Sequence, residues 1–156
     1  MRRTQPAKKR RAAINEVLHV EVNGIVASYC ESLGDDLTPL KIRTGKFDVA
    51  GNPLYSQTSR VRVVFQKYPS TEVVKFPVDE DGSLCLSFHI ETDLGEKSDG
   101  KPEVTVKVFG RIYREEHGFR VHIEQDESYI SDGADFQRHK EVCDHISNYV
   151  LIALTR

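Results

Sequence analysis

Two stretches of this chain gather residue types that do chemistry. FHIETD at 88–93 recurs as VHIEQD at 121–126, so His89, Glu91 and Asp93 match His122, Glu124 and Asp126. Within each copy the three side chains fall on alternate residues, and alternate residues of a β-strand share one face. Imidazole titrates near neutrality, and carboxylates accept protons or hold cations. One chemistry open to such a set is a metal ion held by nitrogen and oxygen ligands at about 2.0–2.2 Å. The other is acid–base hydrolysis, with Glu91 and Glu124 about 6.5–9.5 Å apart on either side of a water and a scissile bond.

Strand register tests both. In the hairpin around REEHG, a turn at Glu115–Gly118 sets Arg114 opposite Phe119, Ile112 opposite Val121 and Gly110 opposite Ile123. The apolar faces then coincide, and register is set by that coincidence. The other face pairs Arg111 with His122, Phe109 with Glu124 and Lys107 with Asp126. If 84–94 pairs with 104–114 so that Leu94 meets Val104, Glu91 faces Lys107 and His89 faces Phe109. The two HIE copies then share a face but stand one strand apart, nearly 10 Å given strand spacings of about 4.8 Å. Lys107 and Phe109 fill the gap, and a lysine between acids competes with any cation for them. The spacing therefore predicts a cross-strand charge ladder. It assigns no catalytic residue, no metal ligand and no cofactor, and it leans away from an enzyme, with a metal- or carboxylate-dependent hydrolase as the alternative.

Other chemical motifs are absent or incomplete. His139, Cys143 and His145 crowd the last predicted helix, but residues two apart do not face each other, so 145 points away from 143. TGKFD at 44–48 lacks the upstream glycine and the hydroxyl residue of a phosphate loop. No Gly-x-Ser-x-Gly, GxGxxG or HExxH occurs. Cys30, Cys85 and Cys143 form no CxxC pair, which suits reduced thiols used as small core residues.

Charge is distributed unevenly. The net charge is −2, yet residues 1–11 hold six basic side chains (Arg2, Arg3, Lys8, Lys9, Arg10, Arg11) and no acid. The remainder is acidic on balance, and a cationic arm on an acidic body points to contact with phosphates or with an acidic protein. A second basic surface is expected on the sheet, with Lys41 and Arg43 outward on one strand and Arg60 and Arg62 outward on another. If those strands are neighbours, the four cations form one patch able to grip a phosphate backbone by charge, without reading bases.

The elements that would position these residues follow from periodicity. Residues 1–11 are expected to be a flexible basic arm and 12–156 a single domain. Ile14, Leu18, Val22, Ile25, Tyr29 and Leu33 recur at helical spacing, although LHVEVNG also alternates like a strand. LKIRTGKFDV, RVRVVFQKY, VVKFPV, LCLSFHI, EVTVKVFGRIY and FRVHIEQDESY read as strands, AGNPLYSQTS and LGEKSDGKPE as loops, and DEDGS as a hairpin turn. In the last segment Phe136, His139, Cys143, Ile146, Val150 and Ala153 make one stripe, with Asp132 as the expected N-cap. Its ending YVLIAL is apolar all round, so either the first helix or a second copy is expected to cover it. The fold class is α+β, a mostly antiparallel sheet flanked by an N-terminal helix and a long C-terminal helix, both on one sheet face.

At 38% hydrophobic and 29% charged residues, with no apolar run near the roughly 20 that span a bilayer, the chain is expected to be cytoplasmic. The sequence thus predicts a non-catalytic binding module, acting through the arm and the Arg60/Arg62 surface on nucleic acid or an acidic protein. A small inhibitor or assembly protein, paired as a homodimer through the last helix, is the other alternative.

Overall fold

The computed structural model describes residues 4–33, 40–66, 85–133 and 135–155. Helix α1 (Thr4–Leu33) is followed by strands β1 (Leu40–Phe47) and β2 (Pro53–Thr58), which pair with each other. Strands β3 (Val61–Phe65), β4 (Cys85–Leu94), β5 (Val104–Glu115), β6 (Gly118–Ile123) and β7 (Asp126–Ser131) form a separate five-stranded sheet in chain order. Every pairing in it is antiparallel. A 3-10 turn, Phe136–His139, then leads into α2 (Lys140–Thr155). The architecture is α+β.

The helical stripe of α1 is the one its spacing predicts. Leu18, Val22, Ile25 and Tyr29 are buried, with Ile14 and Leu33 packed at the edges of the same cluster. A strand through LHVEVNG would have turned Val20 inward with Leu18 and Val22; Val20 is instead exposed. Gly24 lies where the His139 ring crosses the helix, and a Cβ there would stand 3.3 Å from His139 Cε1. The glycine that weakens the helix locally thus admits a neighbouring ring. The helix begins at Thr4 instead of after residue 11, so residues 4–11 of the basic segment continue its axis, and its first turn holds no acid.

Both helices lie on one face of the five-stranded sheet, α1 over β3, β4 and β5, and α2 over β5, β6 and β7. The inward residues alternate along the strands. Val106, Val108 and Ile112 of β5 and Phe119, Val121 and Ile123 of β6 are buried with Val142, Cys143, Ile146 and Val150 of α2. Burying such a side chain contributes roughly 1.5–3 kcal/mol, which fixes the register of each strand. Gly110 is the exception on the inward face of β5. Its cross-strand partner Phe88 lies over it, so that a Cβ would meet the ring at 2.6 Å.

Three expectations are corrected. The segment taken for a loop after β1 contains β2, and the chain reverses earlier, where Asp48 accepts from the Asn52 and Gly51 amides. FRVHIEQDESY is two strands, because Glu124 adopts a left-handed φ of 53° and turns the chain into β7. Asp132 does not cap the last helix; Asp135 accepts from the Gln137 amide at 3.0 Å, and Asp132 pairs with Arg114. The segment VVKFPV and the DEDGS turn lie outside the described residues.

Candidate binding surface

The helices cover one side of the sheet, and among the described residues no element packs on the other, the open face. The registers of β4–β5 and β5–β6 place both HIE copies on that face. Leu94 faces Val104, Glu91 faces Lys107 and His89 faces Phe109, while Arg114 faces Phe119 and Arg111 faces His122. These are the pairings the sequence predicts. The rungs that result run Val64–His89–Phe109 and, one step toward the β3 C-terminus, Ser87–Arg111–His122.

The acids of this face are satisfied, though not by Lys107. Val61 faces Thr92, so β3 is the second neighbour of β4, and Arg62 reaches across to both acids. Its Nη1 donates to Asp93 Oδ2 at 2.7 Å and its Nη2 to Glu91 Oε1 at 3.2 Å. Thr105 Oγ1 adds a bond to Asp93 Oδ1 at 2.6 Å. The Arg62 hydrogen bonds hold the Asp93 carboxyl below its ordinary value against the opposing pull of burial. The same bonds raise the Arg62 guanidinium. In the second copy Glu124 turns back on the sheet. Its amide donates to the Phe109 carbonyl at 2.8 Å, and its Oε1 accepts from the Phe109 amide at 2.9 Å. Asp126 leaves the rung expected with Lys107 and pairs with Ile123 across the β6–β7 turn.

The histidines contact aromatic rings. His89 lies 5.3 Å from the Phe109 centroid at 50°, with its Nε2 3.4 Å from Glu91 Oε2. His122 stacks on Tyr113 at 5.8 Å. Around them is a groove of about 610 Å³, lined among others by Val64, His89, Phe109, Arg111, His122 and Glu124. No group of three His, Cys, Asp or Glu among the described residues is arranged to hold a metal ion.

The basic patch expected on the sheet is not assembled by strand pairing. β1, which carries Lys41 and Arg43, pairs with β2 in its own sheet, whereas Arg62 is on β3. Arg60 precedes β3 and is buried instead of facing outward, its Nη1 donating to the carbonyls of Asp93 (3.2 Å) and Gly95 (3.0 Å). Arg62 does face outward, but on Glu91 and Asp93. Lys8, Lys9, Arg10 and Arg11 are on the first turns of α1; Arg2 and Arg3 lie outside the described residues.

The cations that sequence reasoning named but did not place in a binding surface are on β5. Lys107 and Arg111 are exposed on the open face and form no ion pair or hydrogen bond with side chains among the described residues. Phe109 stands between them, 54% exposed on the middle strand of the sheet. The signal was present in KVFGR, whose alternate residues are basic, aromatic and basic. What hid it was the assignment of Lys107 to the acids.

A second polar cluster ties the helices together. His139 Nε2 meets Glu21 Oε1 at 3.0 Å and its Nδ1 meets Ser28 Oγ at 2.9 Å. Arg138 makes a bidentate pair with Glu21 and also donates to the Ser131 carbonyl at 3.3 Å. Burial raises the Glu21 carboxyl, but the bonds from His139 and Arg138 outweigh it and leave it lowered. Ser, His and Glu here are joined as in a nucleophilic triad, yet neither described cavity is lined by any of the three. The cluster is a clamp between α1, the 3-10 turn and the end of β7. His145 likewise bonds Ser128 Oγ at 2.9 Å, away from Cys143. Cys143 is buried, which pushes its thiol up to about 11.

At the far end of α2, Val150 is buried against α1 and the sheet, whereas Leu151, Ile152 and Leu154 are exposed. Leu151 and Leu154 border a cleft of about 310 Å³ with Leu33 and Leu94. No helix among the described residues is long and apolar enough to cross a membrane. No protein-family model, curated protein or solved structure matches this chain.

Proposed function

We propose that the protein is a non-catalytic binding module for nucleic acid, contacting it with the open face of β5 and the basic first turns of α1. The observation that carries this reading is the pattern of charge on the open face. Glu91 and Asp93 are held by Arg62, Glu124 by a main-chain amide and Glu127 by Arg120. Lys107 and Arg111 have no acid partner among the described residues. A polyanion neutralising them displaces counterions, which favours binding at low salt.

The geometry of α1 supports one combined footprint. His19 packs on Phe65 at 4.4 Å, while Tyr29 bonds Thr92 Oγ1 at 2.9 Å. The helix N-terminus therefore leads out past the Phe65 end of the sheet, the end where Ser87 and Arg111 open the groove. Residues 8–11 lie roughly 12–17 Å beyond His19 at 1.5 Å per residue.

The test is fluorescence anisotropy with random-sequence oligonucleotides, comparing the full chain with Lys107→Gln/Arg111→Gln and with a chain lacking residues 2–11. Weaker, salt-sensitive binding in both variants supports the reading. Wild-type affinity in both, or retention of polyglutamate in preference to nucleic acid, overturns it. The exposed Leu151, Ile152 and Leu154 favour a second reading, in which the end of α2 pairs with another copy of the chain; light scattering across concentrations tests it.

A further inference from the structure

We infer that the groove on the open face takes an unpaired nucleobase, stacked on Phe109, with flanking phosphates at Lys107 and Arg111; the ligand is single-stranded. This rests on the nucleic-acid reading above and adds what kind of nucleic acid and which residue receives the base. Three observations converge.

The first is the ring itself. Phe109 is 54% exposed on the central strand of a five-stranded sheet, with its backbone amide fixed by Glu124. A side chain in that position stands roughly perpendicular to the sheet, and the Phe109 ring lines the groove. His89 lies beside it, tilted at 50°, and about half of the Phe109 surface remains exposed. Tyr129, the other exposed ring of this face among the described residues, already has the Arg120 guanidinium over it at 5.7 Å.

The second is the placement of charge. Lys107 and Arg111 are each two residues from Phe109 on the same strand face, about 6.6–6.8 Å away along the strand. A cation on either side of a stacking ring is the arrangement that tracks a nucleic-acid backbone while its bases stack, and it tolerates sequence because every base has a π-face. The third is room. At about 610 Å³ the groove falls in the range of small-ligand sites, large enough for one nucleotide unit. A base held in a duplex is stacked between its neighbours and cannot lie on a side-chain ring, whereas an unpaired base can.

The experiment uses the full chain and one oligonucleotide carrying 2-aminopurine, presented single-stranded or annealed to its complement, at matched salt. The expected result is at least tenfold tighter binding of the single strand, with a change in 2-aminopurine emission on binding. Phe109→Leu is expected to lower single-strand affinity about tenfold and abolish the emission change while leaving the salt dependence intact, and Phe109→Tyr is expected to retain both. The side chain is exposed, and circular dichroism of each variant checks that the fold is kept. Equal affinity for duplex and single strand, or wild-type behaviour of Phe109→Leu, overturns this inference and leaves the nucleic-acid reading standing. Failure of both forms to bind overturns both.

Discussion

Removing the Glu21 carboxylate is the most severe test of how the two helices are held. The side chain is 8% exposed, and its partners Arg138 and His139 are 18% and 5% exposed. Glu21→Ala leaves a guanidinium and an imidazole facing each other in a largely dry site. Breaking a buried pair from one side costs about 3–5 kcal/mol. Arg138 keeps its bond to the Ser131 carbonyl and His139 keeps Ser28, so the loss belongs near the lower end, about 3 kcal/mol. For a chain of this size that corresponds to a fall in Tm of roughly 6–12 °C. Thermal and urea unfolding followed by circular dichroism measure it, with Glu115→Ala as the control. Glu115 pairs with Arg120 at the surface, where such a pair contributes no more than about 1 kcal/mol. Replacing both partners, Glu21→Ala with Arg138→Met, is expected to recover part of the loss, since the stranded charge is gone. A fall of less than about 2 °C in the single variant would refute the clamp.

Two further outcomes follow from the same geometry. The Glu21 and Asp93 carboxyls are both held below their ordinary values of 4.5 and 3.8, so the stability they contribute is present above those values and is lost as pH falls through the lower folded ones. Urea midpoints are therefore expected to be steady above about pH 5 and to drop in acid, and the gap between wild type and Glu21→Gln is expected to close there. Cys143, buried and with its thiol at about 11, is expected to stay unmodified by an aromatic disulfide reagent at pH 8 and to react at once in urea; labelling of the native protein within the mixing time would contradict its core position.

Much of the sheet was legible because alternation is a strong signal where one face is buried. The β4–β5 and β5–β6 registers followed from aligning Ile112 with Val121 and Leu94 with Val104. The α1 stripe was legible for the same reason, with 3.6 in place of 2 as the period. What failed was local backbone geometry and non-local pairing. A left-handed residue at Glu124 is rare outside glycine and asparagine, so nothing in HIEQDES announced a break. Arg60 alternates with Val61 in the letters, but it precedes the strand and folds back onto two carbonyls. That β3 flanks β4 is a pairing between segments far apart in sequence, and it decided which cation serves the acids. Arg62 took Glu91 and Asp93, and Lys107 was released. The candidate surface was therefore half legible, with its residues named and its charge balance misassigned.

The proposed placement of a binding surface on the middle strand is tested most directly by titrating the isotopically labelled protein with a random-sequence single strand and mapping amide shifts. The expected shifts cluster at Lys107, Phe109 and Arg111 on β5 and at Ser87 and His89 beside them, with the amides of the buried α2 face unmoved. Shifts confined to the end of α2 or to the β1–β2 hairpin, or none at oligonucleotide excess, would contradict it.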